Sequence, residues 1–276
     1  MRFKERLRAG ATYGLLLVLA VSSCEGGGTF SASPAHFRVA ISGAPGGSFL
    51  SVWGDAQRRR ALLVGGLVGV DPSLAPGGAA GRLVEYRRPG RFTTRCTVDR
   101  VLWWVSGVDD GTGGVEVWAV GDRAGVVRMR GDRCEPADVG QAFSVGAPTF
   151  WGVLARAPGD VWIVGGSPRP DGPRGVLLHG DGVTWRQEHL PAAAAVENLY
   201  KIAADGETLY VVGSGGLVLR RDPRDGTWLQ VRLDARADDN RLFTVSCMAG
   251  TCFAVGGSAN ALIVRSDDAG WSAFEI

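Results

Sequence analysis

The sequence predicts an all-β fold in which a four-stranded unit recurs five times, and two observations favour this prediction. A short apolar phrase ending in glycine recurs, with intervals of 56, 44, 48 and 43 residues between its glycines. Apart from the N-terminal region and one helical turn in AAAAVENLY (192–200), no segment has the apolar periodicity of a helix. A period in the forties is typical of the four-stranded blade of a β-propeller. The phrase occurs as ALLVG (61–65), VWAVG (117–121), VWIVG (161–165), LYVVG (209–213) and CFAVG (252–256).

Each unit contains the same elements in the same order. An apolar run opens it, the glycine-ended phrase follows after a short turn, and a strand of mixed polarity comes next. In VWIVG the side chains on both sides of the strand are apolar, so neighbouring sheets should cover both faces. The glycine is expected to permit the bend into the next loop. The opening runs are FLSVW (49–53), VLWWV (101–105), FWGVL (150–154), LYKIA (199–203) and LFTVS (242–246).

The last three units close on tryptophans, each at the start of an outer strand. We expect Trp185, Trp228 and Trp271 to fill the gap between adjacent blades, which widens with distance from the axis. Five blades over residues 49–276 account for almost the whole chain after the N-terminal region. Six or seven blades are the alternative, because the first unit is stretched and FRVAI (37–41) could come from a further blade.

Residues 1–23 predict an export signal that forms a helix. Four basic residues precede the apolar run GLLLVLAV (14–21), which is too short to span a bilayer permanently. VSSC (21–24) resembles a bacterial lipobox, although Val21 and Ser23 stand where Leu and Gly or Ala are usual. The resemblance implies that Cys24 carries a lipid. An ordinary secretory signal with a chance cysteine is the alternative.

Residues 24–48 are rich in Gly, Ser, Ala and Pro, which predicts a flexible tether between the lipidated cysteine and the folded domain. The sequence therefore predicts a protein exported to the bacterial cell envelope. It would be held by its lipid in the outer membrane, on the periplasmic face or the cell surface.

The chain has five cysteines, and an odd number in an exported protein requires an explanation. If Cys24 is lipidated, four remain for two disulfides in an oxidising compartment. Cys247 and Cys252 flank a four-residue turn, which places them opposite each other in a hairpin. Cys96 and Cys134 then pair by elimination. Two free buried thiols are the alternative for this second pair.

Charge argues against nucleic acid as a partner. The whole chain has 30 basic and 28 acidic residues, of which residues 1–23 hold four and one. Residues 24–276 therefore carry 26 basic and 27 acidic residues, a net charge of about −1. No basic stripe of the kind that phosphate contacts require is left.

Residues for catalysis or metal binding do not cluster in the sequence. The three histidines, His36, His179 and His189, form no zinc-binding pattern, and His179 is expected to belong to a turn. Ser214 lacks the preceding glycine of a nucleophile elbow, because Val212 occupies that position. The sequence thus predicts no catalytic residue, no metal site and no cofactor.

The VWAVG-type phrases and the Asp-Gly-Trp turns resemble bacterial propeller repeats of the Asp-box (BNR), YVTN and photosystem-assembly-factor families, over roughly residues 49–276. The nearest copy of an Asp-box is SDDAGW (266–271), and looser copies precede Trp185 and Trp228. The resemblance implies a propeller in which these turns have a structural role. It also raises a sialidase-like or other glycoside hydrolase or lyase as an alternative function, although no Arg-Ile-Pro segment precedes the repeats.

Loops after the glycine phrases should open on one face of the disc, where a partner can bind. Two of them are long, residues 66–82 and 166–174. Arg169, Asp171 and Arg174 lie in the second, among three prolines, and Arg123 lies in a shorter loop. These residues are the candidate binding site of a membrane-anchored, non-catalytic propeller with a protein or glycan partner. The sequence does not specify an oligomeric state.

Overall fold

The structure is a computed structural model that describes residues 42, 46–70, 78–87, 90–139, 146–233, 240–258, 260–267 and 270–274. It contains one short helix, α1 (Ala192–Ala195), and twenty strands. The strands are β1 (Ser48–Asp55), β2 (Arg60–Gly66), β3 (Gly81–Arg87), β4 (Arg91–Val98), β5 (Leu102–Asp109), β6 (Val115–Gly121), β7 (Val126–Arg130), β8 (Arg133–Pro136), β9 (Thr149–Ala157), β10 (Asp160–Gly166), β11 (Val176–Gly180), β12 (Trp185–Gln187), β13 (Leu199–Asp205), β14 (Thr208–Gly213), β15 (Val218–Arg221), β16 (Trp228–Val231), β17 (Leu242–Met248), β18 (Thr251–Gly257), β19 (Ala261–Asp267) and β20 (Gly270–Ala273).

The strands form five antiparallel four-stranded sheets, each a meander of four consecutive strands. Residues from all five inner strands, β1, β5, β9, β13 and β17, line one central cavity. This arrangement confirms the predicted five-bladed β-propeller. The signal over 1–23, Cys24, the segment 37–41 and residues 71–77 of the first long loop lie outside the described residues. Within the described part, no helix has the length and apolar character needed to cross a membrane.

The glycine-ended phrases form the second strand of each blade, and their glycines are required by a close approach of the backbone. A Cβ atom on Gly121 would lie 2.0 Å from the carbonyl oxygen of Val101, and one on Gly256 would lie 1.7 Å from that of Arg241. Neither glycine has a positive φ angle. The expectation that the glycine serves a bend was therefore wrong, because its lack of a side chain lets the inner strand approach.

Apolar contacts join each blade to the next one along the chain. The described residues contain four hydrophobic clusters, one at each interface between consecutive blades. In three of these interfaces an outer-strand tryptophan packs edge-on against an aromatic ring of the preceding blade. The ring centroids are 5.7 Å apart for Trp185 and Trp118, 5.8 Å for Trp228 and Trp162, and 5.4 Å for Trp271 and Tyr210. The tryptophans thus occupy the predicted gaps between blades.

The first and last blades each have an exposed apolar residue on the face that would pack against the other, where the remaining blades have buried residues. Val52 of β1 is 62% exposed, and Val255 of β18 is 38% exposed. Their counterparts at the same register positions in the other blades are buried at the four consecutive interfaces. These counterparts are Val105, Val153, Ile202 and Val245 for Val52, and Val64, Val120, Val164 and Val212 for Val255. At these positions the described residues leave the seam between the fifth and first blades uncovered.

Two disulfides are present, with the pairing expected from the sequence. Cys96 of β4 and Cys134 of β8 join the outer strands of the first and second blades, with Cα atoms 6.0 Å apart. Cys247 and Cys252 face each other across the β17–β18 hairpin, with Cα atoms 4.0 Å apart. The longer bridge lies where the outer strands of two separate blades meet.

His179 lies in strand β11, so the expectation of a turn residue was wrong. Its ring stacks on Trp162 with centroids 3.8 Å apart, and its Nε2 is 3.0 Å from Asp160 Oδ1. Its Nδ1 accepts a hydrogen bond from the Arg186 guanidinium at 2.9 Å. The side chain is therefore part of the packing between strands of the third blade.

Val153→Ala and Val52→Ala change the same register position in a closed and an uncovered interface. The first is expected to lower the free energy of unfolding by about 2 kcal/mol more than the second, because only Val153 is buried. For Val52→Ala the expected change is within about 0.5 kcal/mol, apart from a small loss of strand propensity common to both. Urea unfolding of both variants measures the difference, and equal losses would show that the seam is covered.

Removal of the Cys96–Cys134 bridge by a double Cys→Ser substitution is expected to cost about 3–4 kcal/mol of stability in the chain-entropy account. Its cysteines are 38 residues apart. The same change at Cys247 and Cys252, only 5 residues apart, should cost about 2 kcal/mol. Denaturation midpoints of the two double variants test this order, and a larger loss from the short loop would contradict it.

Candidate functional site

A β-bulge occurs at the same position in every inner strand. The pairing of each inner strand with its second strand slips by one residue, opposite the step between the phrase's valine and its glycine. A bulge bends the strand and re-aims the side chain of the extra residue. The extra residues are all large and apolar, namely Leu50, Trp103, Trp151, Tyr200 and Phe243.

All five bulge residues line the central cavity, which has a volume of about 250 Å³. Trp104 and Lys201, each directly after a bulge, complete the lining. The repeat thus turns one position per blade toward a shared space. The result is an aromatic cavity with a single charged group among its lining residues.

Three of the aromatic rings that line the cavity contact one another in sequence and form its aromatic wall, and a hydrogen bond fixes the position of a fourth ring. Tyr200 lies 5.1 Å from Trp151 and 5.6 Å from Phe243 between ring centroids. Trp103 donates its indole N–H to Asp122 Oδ1 at 2.7 Å, and Asp122 also accepts from the Thr149 hydroxyl at 3.3 Å. Because the Trp103 N–H is already bonded, this ring presents mainly apolar surface to the cavity.

Lys201 is the one cation of the cavity lining, and it lacks a carboxylate partner among the described residues. Its ammonium donates to the carbonyl oxygen of Trp151 at 3.0 Å and lies 3.1 Å from the centroid of the Trp104 ring. The side chain is only 7% exposed. Burial lowers the pKa of Lys201 to about 7, because no neighbouring charge offsets the loss of hydration. At neutral pH the amine therefore exists in both protonation states.

The predicted site residues lie in loops on the face where the inner strands begin, because antiparallel second strands end there. Arg123 follows Asp122, the residue that holds Trp103, and its guanidinium pairs with Asp99 at 3.2 Å. Arg169 and Asp171 are exposed and Arg174 is half-buried, in the loop between β10 and β11. That loop is fixed by bonds from the Arg169 N–H to the Ser167 hydroxyl and from the Gly172 N–H to the Arg169 carbonyl.

The structure does not bring these four residues together in the cavity. None of them lines it, and within the described part of the chain no ion pair joins Asp171 to Arg169 or Arg174. Asp122, which precedes Arg123 in its loop, accepts the hydrogen bond from the cavity residue Trp103.

Sequence reasoning missed the bulge residues and Lys201. The available signal was a large apolar residue that recurs at one position in every unit. It directly follows Phe49, Leu102, Phe150, Leu199 and Leu242 in the five opening runs. A second signal was lysine itself, since Lys4 and Lys201 are the only two in the chain. The slip in register that aims these side chains inward leaves no trace in the apolar pattern.

The described residues offer no acidic pair or metal-binding group in this cavity. Its lining contains no carboxylate. In the described part of the chain, no three His, Cys, Asp or Glu side chains are arranged so that they could hold a metal ion. The chemistry that the lining side chains offer is apolar contact, ring stacking, hydrogen bonding by indole N–H and phenol groups, and one amine.

No protein-family model and no curated protein matches the chain. Among solved structures, the GH74 xyloglucanase from Xanthomonas campestris is similar with a TM-score of 0.56 and 13% identity, covering 82% of this chain and 38% of that one. Saccharomyces cerevisiae Sqt1 has a TM-score of 0.51 and 12% identity, covering 75% and 55%. YCF48 bound to a D1 peptide has a TM-score of 0.48 and 18% identity, covering 63% and 54%.

The chain thus spans little more than half the length of the Sqt1 and YCF48 chains. At identities of 12–18% these likenesses concern the fold alone. The likeness to the xyloglucanase and to Sqt1 agrees with the five four-stranded sheets, and the chain is a β-propeller.

Proposed function

We propose that the protein is a non-catalytic binding protein of the bacterial cell envelope, and that its partner is a protein that inserts an apolar side chain into the aromatic cavity. The observation that carries the proposal is the set of five equivalent bulges that aim Leu50, Trp103, Trp151, Tyr200 and Phe243 at one space. A bulge in a single blade would re-aim only one side chain. Five at one register position build a site.

The size and polarity of the cavity favour a side chain of a protein over a glycan. At about 250 Å³ the cavity is smaller than the roughly 300–1,000 Å³ typical of sites for drug-sized ligands. A sugar ring requires many hydrogen-bonding groups around it. The lining side chains carry few such groups: the indole N–H groups of Trp104 and Trp151, the Tyr200 hydroxyl and the Lys201 amine, besides the Trp103 N–H that already bonds Asp122. Large aromatic residues are also the type that contributes most to protein–protein binding.

The composition of the lining supports a non-catalytic role. Retaining and inverting glycosidases both place two carboxyl groups around the scissile bond. The residues that line this cavity include no carboxylate. The alternative of a sialidase-like or other glycoside hydrolase or lyase therefore lacks a pair of acids among the described residues that line the cavity.

The proposed anchor is a lipid on Cys24, which the VSSC segment and the odd cysteine support. Two disulfides among the remaining four cysteines agree with an oxidising compartment outside the cytoplasm. We infer that the domain is held at the outer membrane by a tether that ends at β1. The loops with Arg123, Arg169, Asp171 and Arg174 would then form the rim around the bound partner.

Cys24→Ser is expected to move the protein from the membrane fraction to the soluble fraction, because each buried acyl CH₂ contributes about 0.8 kcal/mol to anchoring. Fractionation of the native host and metabolic labelling with a fatty acid measure the change. Cys96→Ser with Cys134→Ser serves as the control, since it removes cysteines without touching the anchor. Unchanged membrane association of Cys24→Ser would contradict lipidation at this residue.

Phe243→p-benzoylphenylalanine is expected to cross-link the partner on irradiation of living cells. Phe243 lines the cavity and is 48% exposed, so the probe reaches a bound side chain with little disturbance of packing. Leu229→p-benzoylphenylalanine is the matched control, because Leu229 is 50% exposed on the outer strand β16, away from the cavity.

The proposal requires one discrete protein adduct at position 243 that is absent at position 229. The adduct should also be lost when Trp151→Ala or Tyr200→Ala is added to the probe variant. An adduct of equal yield at both positions, or no adduct at 243, would contradict binding in the cavity.

A further inference from the structure

We infer that the cavity binds a carboxylate carried by an apolar group, and that Lys201 is the residue that pairs with it. The inference rests on the proposed binding function and identifies the chemistry of the inserted group. It follows from the position of one amine among aromatic rings, with no acid of the protein beside it.

The hydrogen-bonding capacity of Lys201 is only partly used. An ammonium group has three N–H donors. One donates to the Trp151 carbonyl oxygen at 3.0 Å, and the Trp104 ring faces the group at 3.1 Å from its centroid. The structure records no further hydrogen bond from Lys201 among the described residues. Lys201 itself lines the cavity, so a ligand bound there is placed to accept a hydrogen bond from the remaining donors.

A buried amine without a carboxylate partner is costly in its charged form, and an acid that enters the cavity would offset this cost. Burial of a cation disfavours its charged form, and the pKa of Lys201 falls to about 7 for this reason. The 25 other basic residues of 24–276 are all arginines, so Lys201 is the one lysine in this part of the sequence. A carboxylate that enters the cavity would restore the charged form through a charge-assisted hydrogen bond.

The surrounding groups do not already neutralise Lys201. The inner strands packed around it, β5, β9 and β17, contribute Trp103, Trp104, Trp151 and Phe243 to the lining and no charged side chain. Asp122 lies behind Trp103, where it bonds that indole and Thr149. Asp109 and Asp205 end their inner strands at the opposite face of the disc. An incoming acid would therefore meet one cation and no competing carboxylate in the lining.

The aromatic residues of the cavity determine which group can accompany the carboxylate in the ligand. Trp151, Tyr200 and Phe243 form consecutive ring contacts, so an aliphatic or aromatic group beside the carboxylate would be covered by apolar surface. A free carboxylate at a peptide terminus, an acidic side chain within an apolar segment, and a small aromatic acid share this chemistry. The volume of about 250 Å³ accommodates the acid with one large apolar group.

Binding of an acid should depend on pH with a defined sign. Below pH 7 the amine of the free protein is charged and ready to pair. Above pH 7 the amine must take up a proton as the acid binds, so affinity should fall by up to tenfold per pH unit. An uncharged amide of the same shape should show no such fall.

The test uses three sets of ligands, each with a matched acid and amide. The first is an array of peptides with apolar termini in free-acid and amide forms, and the second is an array of internal apolar segments with Glu or Gln. The third is the pair indole-3-acetate and indole-3-acetamide. Wild-type protein and Lys201→Met are compared on each set, with affinities from tryptophan fluorescence between pH 6 and pH 9. Lys201→Met keeps the length of the side chain and removes the buried amine, so it is expected to fold. The NMR signal of Lys201 in protein labelled with ¹³C-lysine is followed during binding as a direct readout of its titration.

The expected result is at least tenfold tighter binding of the acid than of the matched amide in one of the three sets, lost in Lys201→Met, with a rise in the pKa of Lys201 on binding. The set that shows it identifies the source of the carboxylate. Equal binding of acids and amides by the wild-type protein, or a preference for acids that survives in Lys201→Met, would overturn the inference. Cross-linking at Phe243 is independent of these results, so it separates failure of this inference from failure of the proposed function.

Discussion

The close approach of two backbone segments at the end of each second strand is the constraint on which the structure depends. Glycine at this point lets the carbonyl at the start of the inner strand come within 1.7–2.4 Å of where a Cβ would be, as at Gly256 and Gly165. Two residues after that carbonyl the inner strand takes in one extra residue, whose side chain lines the cavity. One repeated steric requirement thus fixes both the packing of the blade and the identity of the residues around the cavity.

The sequence contains the periodic part of this architecture and lacks the local part. The intervals between glycine phrases predicted five blades, Trp185, Trp228 and Trp271 predicted the filling of the gaps, and cysteine spacing predicted both bridges. The role of the glycines could not be read, because a bend and a close approach require the same residue. Tyr200 and Lys201 read as members of an apolar run, since a one-residue slip in register is a property of the pairing between strands. The loop arginines were singled out by composition, which does not show that Arg123 already has Asp99 as a partner.

The cavity combines two groups that proteins normally keep apart, aromatic rings and an amine without an acid. The stacking of Lys201 on Trp104 and its bond to Trp151 hold the amine in a single geometry. Loss of hydration disfavours its charge, whereas the ring face favours it. The competing effects leave the protonation of Lys201 sensitive to what enters the cavity. An internal ion pair would have fixed that charge permanently.

The exposed Val52 and Val255 at the two ends of the blade order have a mechanical consequence. With apolar clusters only between consecutive blades among the described residues, cooperativity runs along the chain as in a linear repeat array rather than around a circle. End units of such an array fray first, because each has one neighbour instead of two. Both cross-links are found in these end units, Cys96–Cys134 fastening the first blade to the second and Cys247–Cys252 bracing the leading hairpin of the fifth. Covalent bonds thereby reinforce both ends of the array, and among the described residues the third and fourth blades carry no disulfide.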